Sequence, residues 1–354
     1  MKKLLSAIGV GTVLTLALAG CGGSPETPEP APEAVETDGA ELSDFDALVE
    51  AAKAEGSLRV YAQIPEPPLL AYAEAFKEKY GINVEALRLG GNTLSSRFDT
   101  ETEAGTPSGE LLIATDIEFL ASAAGRGDLL GFSEVGVKEL FDGFPEASVL
   151  DDYDAPVVQA LYTGFVYNTD DVAAADLPKS WSDLSDARWA GNFCAVDPST
   201  SLSMAQFMWT LRDEGGDAVL STIGANIGRW YPNVVALNEA VAVGECQLGL
   251  NSAEFMIRAA QRNGAPVDFA TGPSGVYPVV SASVATEAEH PNAARLFLHF
   301  ILAEENTRIL SDPADGSFGP WDYAQFPPDF WVPQPSDFQV VRDQTPELLA
   351  LLGL

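Results

Sequence analysis

The segment from Leu58 to Leu87, LRVYAQIPEPPLLAYAEAFKEKYGINVEAL, contains the strand–helix–strand unit that decides the fold. Apolar runs at Leu58–Ala62 and Asn83–Leu87 predict two strands, and the helical spacing of apolar residues in Pro68–Tyr80 predicts a helix between them. A helical crossover of this kind joins parallel strands of one sheet. The unit therefore predicts an α/β lobe.

The same alternation continues on both sides of this unit. A helix is predicted at Leu42–Glu55, and strand and helix patterns follow one another as far as Ala124. After an irregular acidic stretch at Asp142–Asp154, a second alternating series runs from Val157 to Ala270. Two such series exceed the usual size of one hydrophobic core. We therefore expect two α/β lobes, each with a mostly parallel sheet flanked by helices.

The chain is expected to return to the first lobe near its end. A strand is predicted at Val276–Ala285 and a long helix at Asn292–Leu310, followed by a tail rich in proline and aromatic residues. The tail is predicted to wrap around the lobes and to end in a short helix at Pro346–Leu352. The expected first lobe covers 42–155 and about 273–312, the second 156–272, and the tail 313–354.

The first 20 residues are typical of an export signal, because two lysines precede an apolar run that is too short and too interrupted to span a bilayer. The tetrapeptide Leu18-Ala19-Gly20-Cys21 resembles the bacterial lipobox, which implies cleavage before Cys21 and lipidation of its thiol. An ordinary secretory peptide with an incidental cysteine is the alternative. Residues 21–41, acidic and rich in proline, predict a solvated linker. We expect a domain anchored at the outer face of the membrane or in the periplasm.

The composition disfavours two classes of function. With 52 acidic and 19 basic residues the formal net charge is -33, whereas nucleic-acid binding needs clustered lysine and arginine. A hydrolase is disfavoured because no G-x-S-x-G motif occurs and neither His290 nor His299 is predicted beside a nucleophile. We expect a monomer without enzyme activity or a cofactor.

Two cysteines lie within the predicted second lobe, Cys194 and Cys246, each in a short strand-like run. The oxidising environment of an exported protein favours a disulfide between them. Two buried free thiols are the alternative, because the sequence cannot show whether the Cα atoms lie within about 7 Å. Two isolated cysteines and two histidines match no ligand spacing of a metal site, so none is predicted.

Short motifs along most of the chain resemble the ferric-iron type of periplasmic binding protein, a group that also includes phosphonate, thiamine and polyamine binders. They include LVEAAKAEG at Leu48–Gly56, FVYNT at Phe165–Thr169, LPKSWSDL at Leu177–Leu184 and HPNAA at His290–Ala294. The resemblance implies the class II periplasmic binding protein fold, in which two lobes close on a solute. It also implies an extracellular component of an ABC importer that works with a permease and its ATPase. A surface sensor or adhesin without transport is the alternative.

The resemblance also bears on the solute. Iron binders of this type use two adjacent tyrosines and a histidine, but the matching segments here read LNSAEF at Leu250–Phe255 and AQIP at Ala62–Pro65. Only Asp116 and Glu254 offer carboxylates at matching places, fewer oxygen anions than a hard cation requires. We expect an anionic or zwitterionic organic solute, with ferric iron or an iron chelate as the alternative.

The candidate site residues follow strands or precede helices, since ligands of two-lobed α/β proteins lie at the carboxyl ends of strands and at helix N-termini. The predicted ligand-binding residues are Gln63, Asn92, Thr93, Thr115, Asp116, Tyr162, Ser199, Thr200, Ser201, Asn251, Ser252, Glu254, Arg258 and Tyr277. Two structural alternatives remain open. Asp116, Ser199 and Thr200 could cap helices, and Glu254 could pair with Arg258 at i,i+4 spacing.

Overall fold

The computed structural model describes residues 43–90, 93–272, 275–276, 278–325 and 330–354, with only the backbone at 275–276, 323–325 and 330–331. The predicted export signal, Cys21, the linker, Asn92 and Tyr277 lie outside the described residues. The strands are β1 (Ser57–Ala62), β2 (Asn83–Arg88), β3 (Leu111–Ala114), β4 (Val149–Leu150), β5 (Ala155–Leu161), β6 (Thr163–Asn168), β7 (Phe193–Val196), β8 (Ile227–Tyr231), β9 (Leu248–Ala253), β10 (Val267–Thr271), β11 (Gly275–Val276), β12 (Val279–Val284), β13 (Ser317–Phe318) and β14 (Phe330–Trp331). The helices are α1 (Asp44–Glu55), α2 (Glu66–Tyr80), α3 (Thr93–Glu103), α4 (Ile117–Arg126), α5 (Phe132–Val135), α6 (Leu202–Asn226), α7 (Val234–Ala242), α8 (Glu254–Arg262), α9 (Pro291–Leu302), α10 (Glu304–Thr307) and α11 (Pro335–Leu352).

The first sheet has the strand order β13-β5-β12-β3-β1-β2, with β4 paired to β5. Strand β1 pairs in parallel with β2 and β3, as the strand–helix–strand segment predicts. Strands β12, β5 and β13 add antiparallel pairs, so the sheet is mixed. Helices α2 and α9 cover one face, where Phe76 meets Phe297 and Phe300 edge to face at centroid distances of 4.9 and 5.4 Å. We call this body the first lobe.

The second sheet has the order β10-β6-β9-β7-β8 and its own apolar core. Trp181 belongs to that core, and its ring centroid lies 5.1 Å from those of Phe165 and Phe207. A disulfide joins Cys194 in β7 to Cys246 before β9, with the Cα atoms 6.1 Å apart. We call this body the second lobe. Two sheets with separate cores confirm the predicted two-lobed α/β fold. The expectation of mostly parallel sheets was wrong, because β6 also pairs antiparallel with β9 and β10, so the second sheet is mixed like the first.

The chain passes from the first sheet to the second at Tyr162, the residue between β5 and β6. The sequence placed this change at residue 156, because the apolar run from Val157 to Asn168 shows no break. Strand β5 instead pairs with β12 and β13 of the first sheet. We therefore propose that the second lobe begins after Tyr162.

The predicted bounds of three elements near the C-terminus were wrong. The strand predicted from Val276 begins at Val279, and the helix predicted to reach Leu310 ends at Leu302, because Ala303 is extended with φ -63° and ψ 136°. The final helix begins at Pro335 rather than Pro346. Proline usually marks a helix start, but here the helix continues through Pro346 despite the lost hydrogen bond. Val341 and Leu348, on either side of this proline, are both buried.

His299 of α9 is packed between Phe45 and Phe141, with ring centroids at 4.8 and 4.3 Å. Its Nδ1 is buried without a hydrogen-bond partner among the described residues. Burial lowers the pKa of His299 below its ordinary value of 6.5, an effect that Glu305 partly offsets. As the pH falls through and below 6.5, the imidazole therefore takes up a proton more readily in the unfolded chain than in the folded chain. The free energy of unfolding decreases over this range.

We expect the melting temperature of the wild type to fall more steeply than that of His299→Leu between about pH 7.5 and about pH 5.5. Differential scanning calorimetry at several pH values measures both slopes. The carboxylates that also titrate are common to both proteins, so the difference isolates His299. Equal slopes would show that the buried imidazole contributes nothing to the acid sensitivity.

Candidate solute-binding cleft

A cavity of about 780 Å³ lies where both lobes and the C-terminal helix α11 meet. The carboxyl ends of β1, β3 and β7 and the N-termini of α4 and α6 lie at this cavity. Its lining residues are Gln63, Thr115, Asp116, Ile117, Glu118, Pro198, Ser199, Thr200, Ser201, Leu202, Ser203, Ala205, Gln206, Pro278, Val279, Pro333, Phe338, Arg342 and Thr345. Of the predicted ligand-binding residues, the cavity thus brings together Gln63, Thr115, Asp116, Ser199, Thr200 and Ser201.

Gln63, Thr115 and Asp116 form the wall contributed by the first lobe. The strands β1 and β3 are parallel neighbours, so their carboxyl ends meet at one edge of the sheet. Gln63 Oε1 accepts hydrogen bonds from Thr115 N at 2.7 Å, Thr115 Oγ1 at 2.8 Å and Asp116 N at 3.2 Å. Asp116 Oδ1 accepts from Phe119 N at 3.1 Å and caps α4. The capping role left open for Asp116 is therefore real, and its carboxylate also faces the cavity.

The second lobe contributes the turn between β7 and α6. Ser201 Oγ accepts from Met204 N at 3.3 Å and caps α6, while Thr200 Oγ1 donates to Asp197 O at 2.8 Å. The backbone N–H of Ser199 donates to Asp197 Oδ1 at 2.8 Å. First-turn N–H groups of a helix have no partner within the helix and carry its positive dipole end. The start of α6 is therefore an environment that favours an anion.

The C-terminal helix contributes a third wall that the sequence did not predict. Arg342 binds Glu118 of α4, with Nε 2.9 Å from Oε2. The Arg342 side chain is 52% exposed and that of Glu118 28% exposed. The hydrogen bond to Glu118 raises the pKa of Arg342, so the guanidinium stays charged. One sequence signal could have pointed to Arg342 as a site residue, because it is the only basic residue after Arg308.

Several predicted residues lie away from this cavity. Thr93 lines a separate surface depression with Arg97 and Glu101. Tyr162 packs against Phe318, with ring centroids 5.2 Å apart. The buried Ser252 donates from Oγ to Asn238 Oδ1 at 2.9 Å. Tyr162 follows β5 and Thr93 begins α3, as predicted, whereas Ser252 was wrongly placed after a strand, because it lies within β9. The side chains of Tyr162 and Ser252 contact protein.

Glu254 and Arg258 form the ion pair that the i,i+4 spacing left open. Arg258 Nη2 lies 2.7 Å from Glu254 Oε1, and Arg258 Nη1 lies 2.7 Å from Asp268 Oδ1. Glu254 also packs so closely on Gly316 that a Cβ there would lie 2.6 Å from Glu254 Cβ. Neither charged group lines the cavity. Asn251 has a positive φ of 59° and a buried Oδ1 without a hydrogen-bond partner among the described residues.

Within the described ranges, no group of three or more histidine, cysteine, aspartate and glutamate side chains is placed to hold a metal ion. In the same part of the chain, no helix has the length and apolarity needed to cross a bilayer. Asp116 and Glu254 are the two carboxylates at positions that match iron ligands. They do not meet at one site, since Asp116 lines the cavity and Glu254 forms an ion pair with Arg258.

The expectation that His290 has no nucleophile beside it was wrong. His290 Nε2 lies 3.5 Å from Ser57 Oγ, and its Nδ1 lies 3.0 Å from Glu110 Oε1, at a second cavity of about 500 Å³. The sequence could not show this, because β1 and the start of α9 are far apart in the chain. The Glu110 carboxylate accepts two backbone hydrogen bonds, from Arg59 N to Oε2 at 2.7 Å and from His290 N to Oε1 at 2.6 Å. These two amides therefore cannot stabilise an oxyanion, and we assign no reaction to the arrangement.

A cavity between two α/β lobes, walled by strand ends and helix N-termini, is the architecture of the class II periplasmic binding protein fold. Residues 71–331 match the bacterial extracellular solute-binding protein family. The chain belongs to this family, and the resemblance to the ferric-binding type is confirmed. An uncharacterised protein of Haemophilus influenzae is 22% identical over 273 residues, covering 75% of this chain and 78% of that protein.

Solved structures share the fold. Iron-bound HitA from Pseudomonas aeruginosa is 23% identical with a TM-score of 0.64, over 84% of this chain and 99% of that one. FutA (IdiA) from Trichodesmium, in complex with iron and citrate, is 16% identical with a TM-score of 0.65, over 84% and 98%. AfuA from Actinobacillus pleuropneumoniae, with fructose-6-phosphate bound, is 17% identical with a TM-score of 0.61, over 84% and 99%. At these identities the likeness shows the fold.

Proposed function

We propose that this extracellular solute-binding protein of the ABC importer type captures an anionic or zwitterionic organic solute in the cavity between its lobes. The observation that carries the proposal is the start of α6, where Ser199, Ser201 and the first helical residues Leu202 and Ser203 line the cavity. Serine hydroxyls and first-turn N–H groups are hydrogen-bond donors at the positive end of a helix dipole, which suits a carboxylate, phosphate or phosphonate.

The opposite wall is acidic. Asp116 and Glu118 line the same cavity, and carboxylates there suit an ammonium group on the solute. A zwitterion satisfies both walls at once. The bound fructose-6-phosphate of AfuA supports an anionic organic solute for a fold of this kind. Iron in HitA supports the alternative, but here the segment LNSAEF at Leu250–Phe255 has no tyrosine and Glu254 is engaged by Arg258.

Capture would work through closure of the lobes about Tyr162, which connects β5 of the first sheet to β6 of the second. Solute contacts made only when the lobes are closed would shift the population toward that form. The permease and its ATPase would then receive the closed protein. The lipobox-like tetrapeptide ending at Cys21 supports a lipid anchor that holds the protein near them. A sensor or adhesin with the same fold would bind the solute without delivering it.

A thermal-shift screen of the purified protein tests the proposal. The probes are inorganic phosphate, fructose-6-phosphate, 2-aminoethylphosphonate, spermidine, thiamine and ferric citrate. A probe at 100 times its Kd stabilises the folded protein by about 2.7 kcal/mol. We expect this response from an anionic or zwitterionic probe. A melting temperature that no probe changes would refute the site, and a response to ferric citrate alone would favour the iron alternative.

Ser201→Ala should weaken that response. The substitution removes the cap of α6 and one hydroxyl at the cavity, so it should cost about 1 kcal/mol of stability and also reduce the shift caused by the probe. Ser43→Ala is the matched control, because Ser43 Oγ caps α1 by accepting from Asp46 N at 3.1 Å, away from the cavity. Both variants should lose similar stability. An equal loss of probe response in both would contradict a role for Ser201 in binding.

A further inference from the structure

The C-terminal helix α11 is firmly attached to the second lobe. Leu348 and Leu352 are buried in the core of that lobe. A Cβ on Gly224 of α6 would lie 2.8 Å from Leu352 Cα, so the two helices pack backbone against backbone. Polar contacts add to this, since Trp209 Nε1 donates to Gln344 Oε1 at 3.1 Å and Arg212 Nη1 lies 3.0 Å from Glu347 Oε2. Helix α11 must therefore move with the second lobe.

The contacts of α11 with the first lobe are mostly polar and near the surface. Ser336 N donates to Asp152 Oδ2 at 2.8 Å, and Arg342 pairs with Glu118 of α4. Phe338 adds a partly buried apolar contact with the cluster around Ile117. An exposed ion pair contributes little to stability and is readily exchanged for another partner. The pair between Arg342 and Glu118 is thus a weak bridge between the lobes.

Both partners of this ion pair, Arg342 and Glu118, line the cavity, so the pair bears on solute binding. Among the described residues that line the cavity, Arg342 is the single basic side chain, and Asp116 and Glu118 are the acidic ones. A solute anion that enters the cavity meets two carboxylates and needs a compensating positive charge. The planar guanidinium of arginine suits two parallel hydrogen bonds to a carboxylate, phosphate or phosphonate. Only Arg342 can supply it within this lining.

We infer that Arg342 binds the anionic group of the solute, with Glu118 as the resident counter-ion that the solute displaces. The inference rests on the proposed function and deepens it. The exchange leaves Glu118 beside Asp116, at the wall where an ammonium group of the solute is then bound. It also releases the bridge from α11 to α4, so binding and the relative movement of the lobes become coupled. The solute is accordingly a zwitterion whose anionic end points toward α11 and α6.

Two charge-neutralising variants test this exchange. Arg342→Gln should weaken binding of 2-aminoethylphosphonate and inorganic phosphate by at least about tenfold in isothermal titration calorimetry, because a charge-assisted pair is lost. Glu118→Gln should strengthen binding of inorganic phosphate, since the competing carboxylate is gone. Arg262→Gln is the matched control, because Arg262 forms an exposed ion pair with Asp315 and does not line the cavity. It should bind both probes like the wild type.

The outcomes separate the inference from the function on which it rests. If the wild type binds a probe and Arg342→Gln binds it equally well, the inference is overturned and the proposed function stands. If the wild type binds none of the anionic or zwitterionic probes, both are overturned. Weaker binding of inorganic phosphate by Glu118→Gln would also overturn the displacement. Circular dichroism and the melting temperature without probe confirm that each variant is folded.

Discussion

The double variant Cys194→Ala/Cys246→Ala is expected to lose about 4 kcal/mol of unfolding free energy. The disulfide joins residues separated by 52 positions, and a cross-link over a loop of that length restricts the unfolded chain strongly. The two half-cystines are only 2% and 3% exposed, so the substitution also removes packed apolar volume. The bond ties β7, which leads directly into the turn at Ser199, to the start of β9. Urea unfolding followed by fluorescence measures the loss.

Two controls identify the bond as the cause. The single variant Cys194→Ala already breaks the disulfide, so the second substitution should add only the smaller loss from the packed volume of Cys246. Wild-type protein unfolded in the presence of dithiothreitol should lose a similar amount. If the reduced wild type unfolds at the same urea concentration as the oxidised protein, the cross-link does not stabilise the fold.

Leu348→Ala is expected to cost about 3 kcal/mol, the usual loss for truncating a leucine in a rigid core. Leu348 is fully buried and belongs to the core of the second lobe, although it lies in the last helix of the chain. Loosening this contact should also free α11 from α6. The same variant should therefore bind anionic probes less tightly, because the position of Arg342 depends on this helix.

Leu354→Ala is the matched control for this effect. Leu354 is 47% exposed, and surface substitutions usually change stability by less than about 0.5 kcal/mol. Urea unfolding of the two variants beside the wild type gives both values. A loss at Leu348 no larger than that at Leu354 would show that the C-terminal helix is not part of the second core.

Local patterns predicted the elements near the deciding segment well. The strand expected at Leu58–Ala62 is observed at Ser57–Ala62, and the helix expected at Pro68–Tyr80 is observed at Glu66–Tyr80. Both depend on the spacing of apolar residues a few positions apart, which the sequence displays directly. The assignment of β5 to the first sheet depends on pairing with β12, more than a hundred residues later. No local pattern contains that information.

In the candidate site, too, the residues set by local patterns were predicted and those set by long-range packing were missed. Gln63, Thr115, Asp116 and the turn from Ser199 to Ser201 were predicted, because the carboxyl ends of strands in α/β lobes converge on one edge. Arg342 was missed, because its position depends on the packing of Leu348 and Leu352 against α6. The proximity of Ser57 to His290 was missed for a similar reason, since it requires the placement of α9 beneath the first sheet.

The strand order has a consequence for biosynthesis. The second sheet is built entirely from residues 163–231 and 248–271, whereas the first lacks its central strand β12 until residue 284 and its edge strand β13 until residue 318. A chain synthesised from its N-terminus therefore holds every strand of the second sheet before it can complete the first. The half of the molecule that begins later in the gene is the half whose sheet can be assembled sooner.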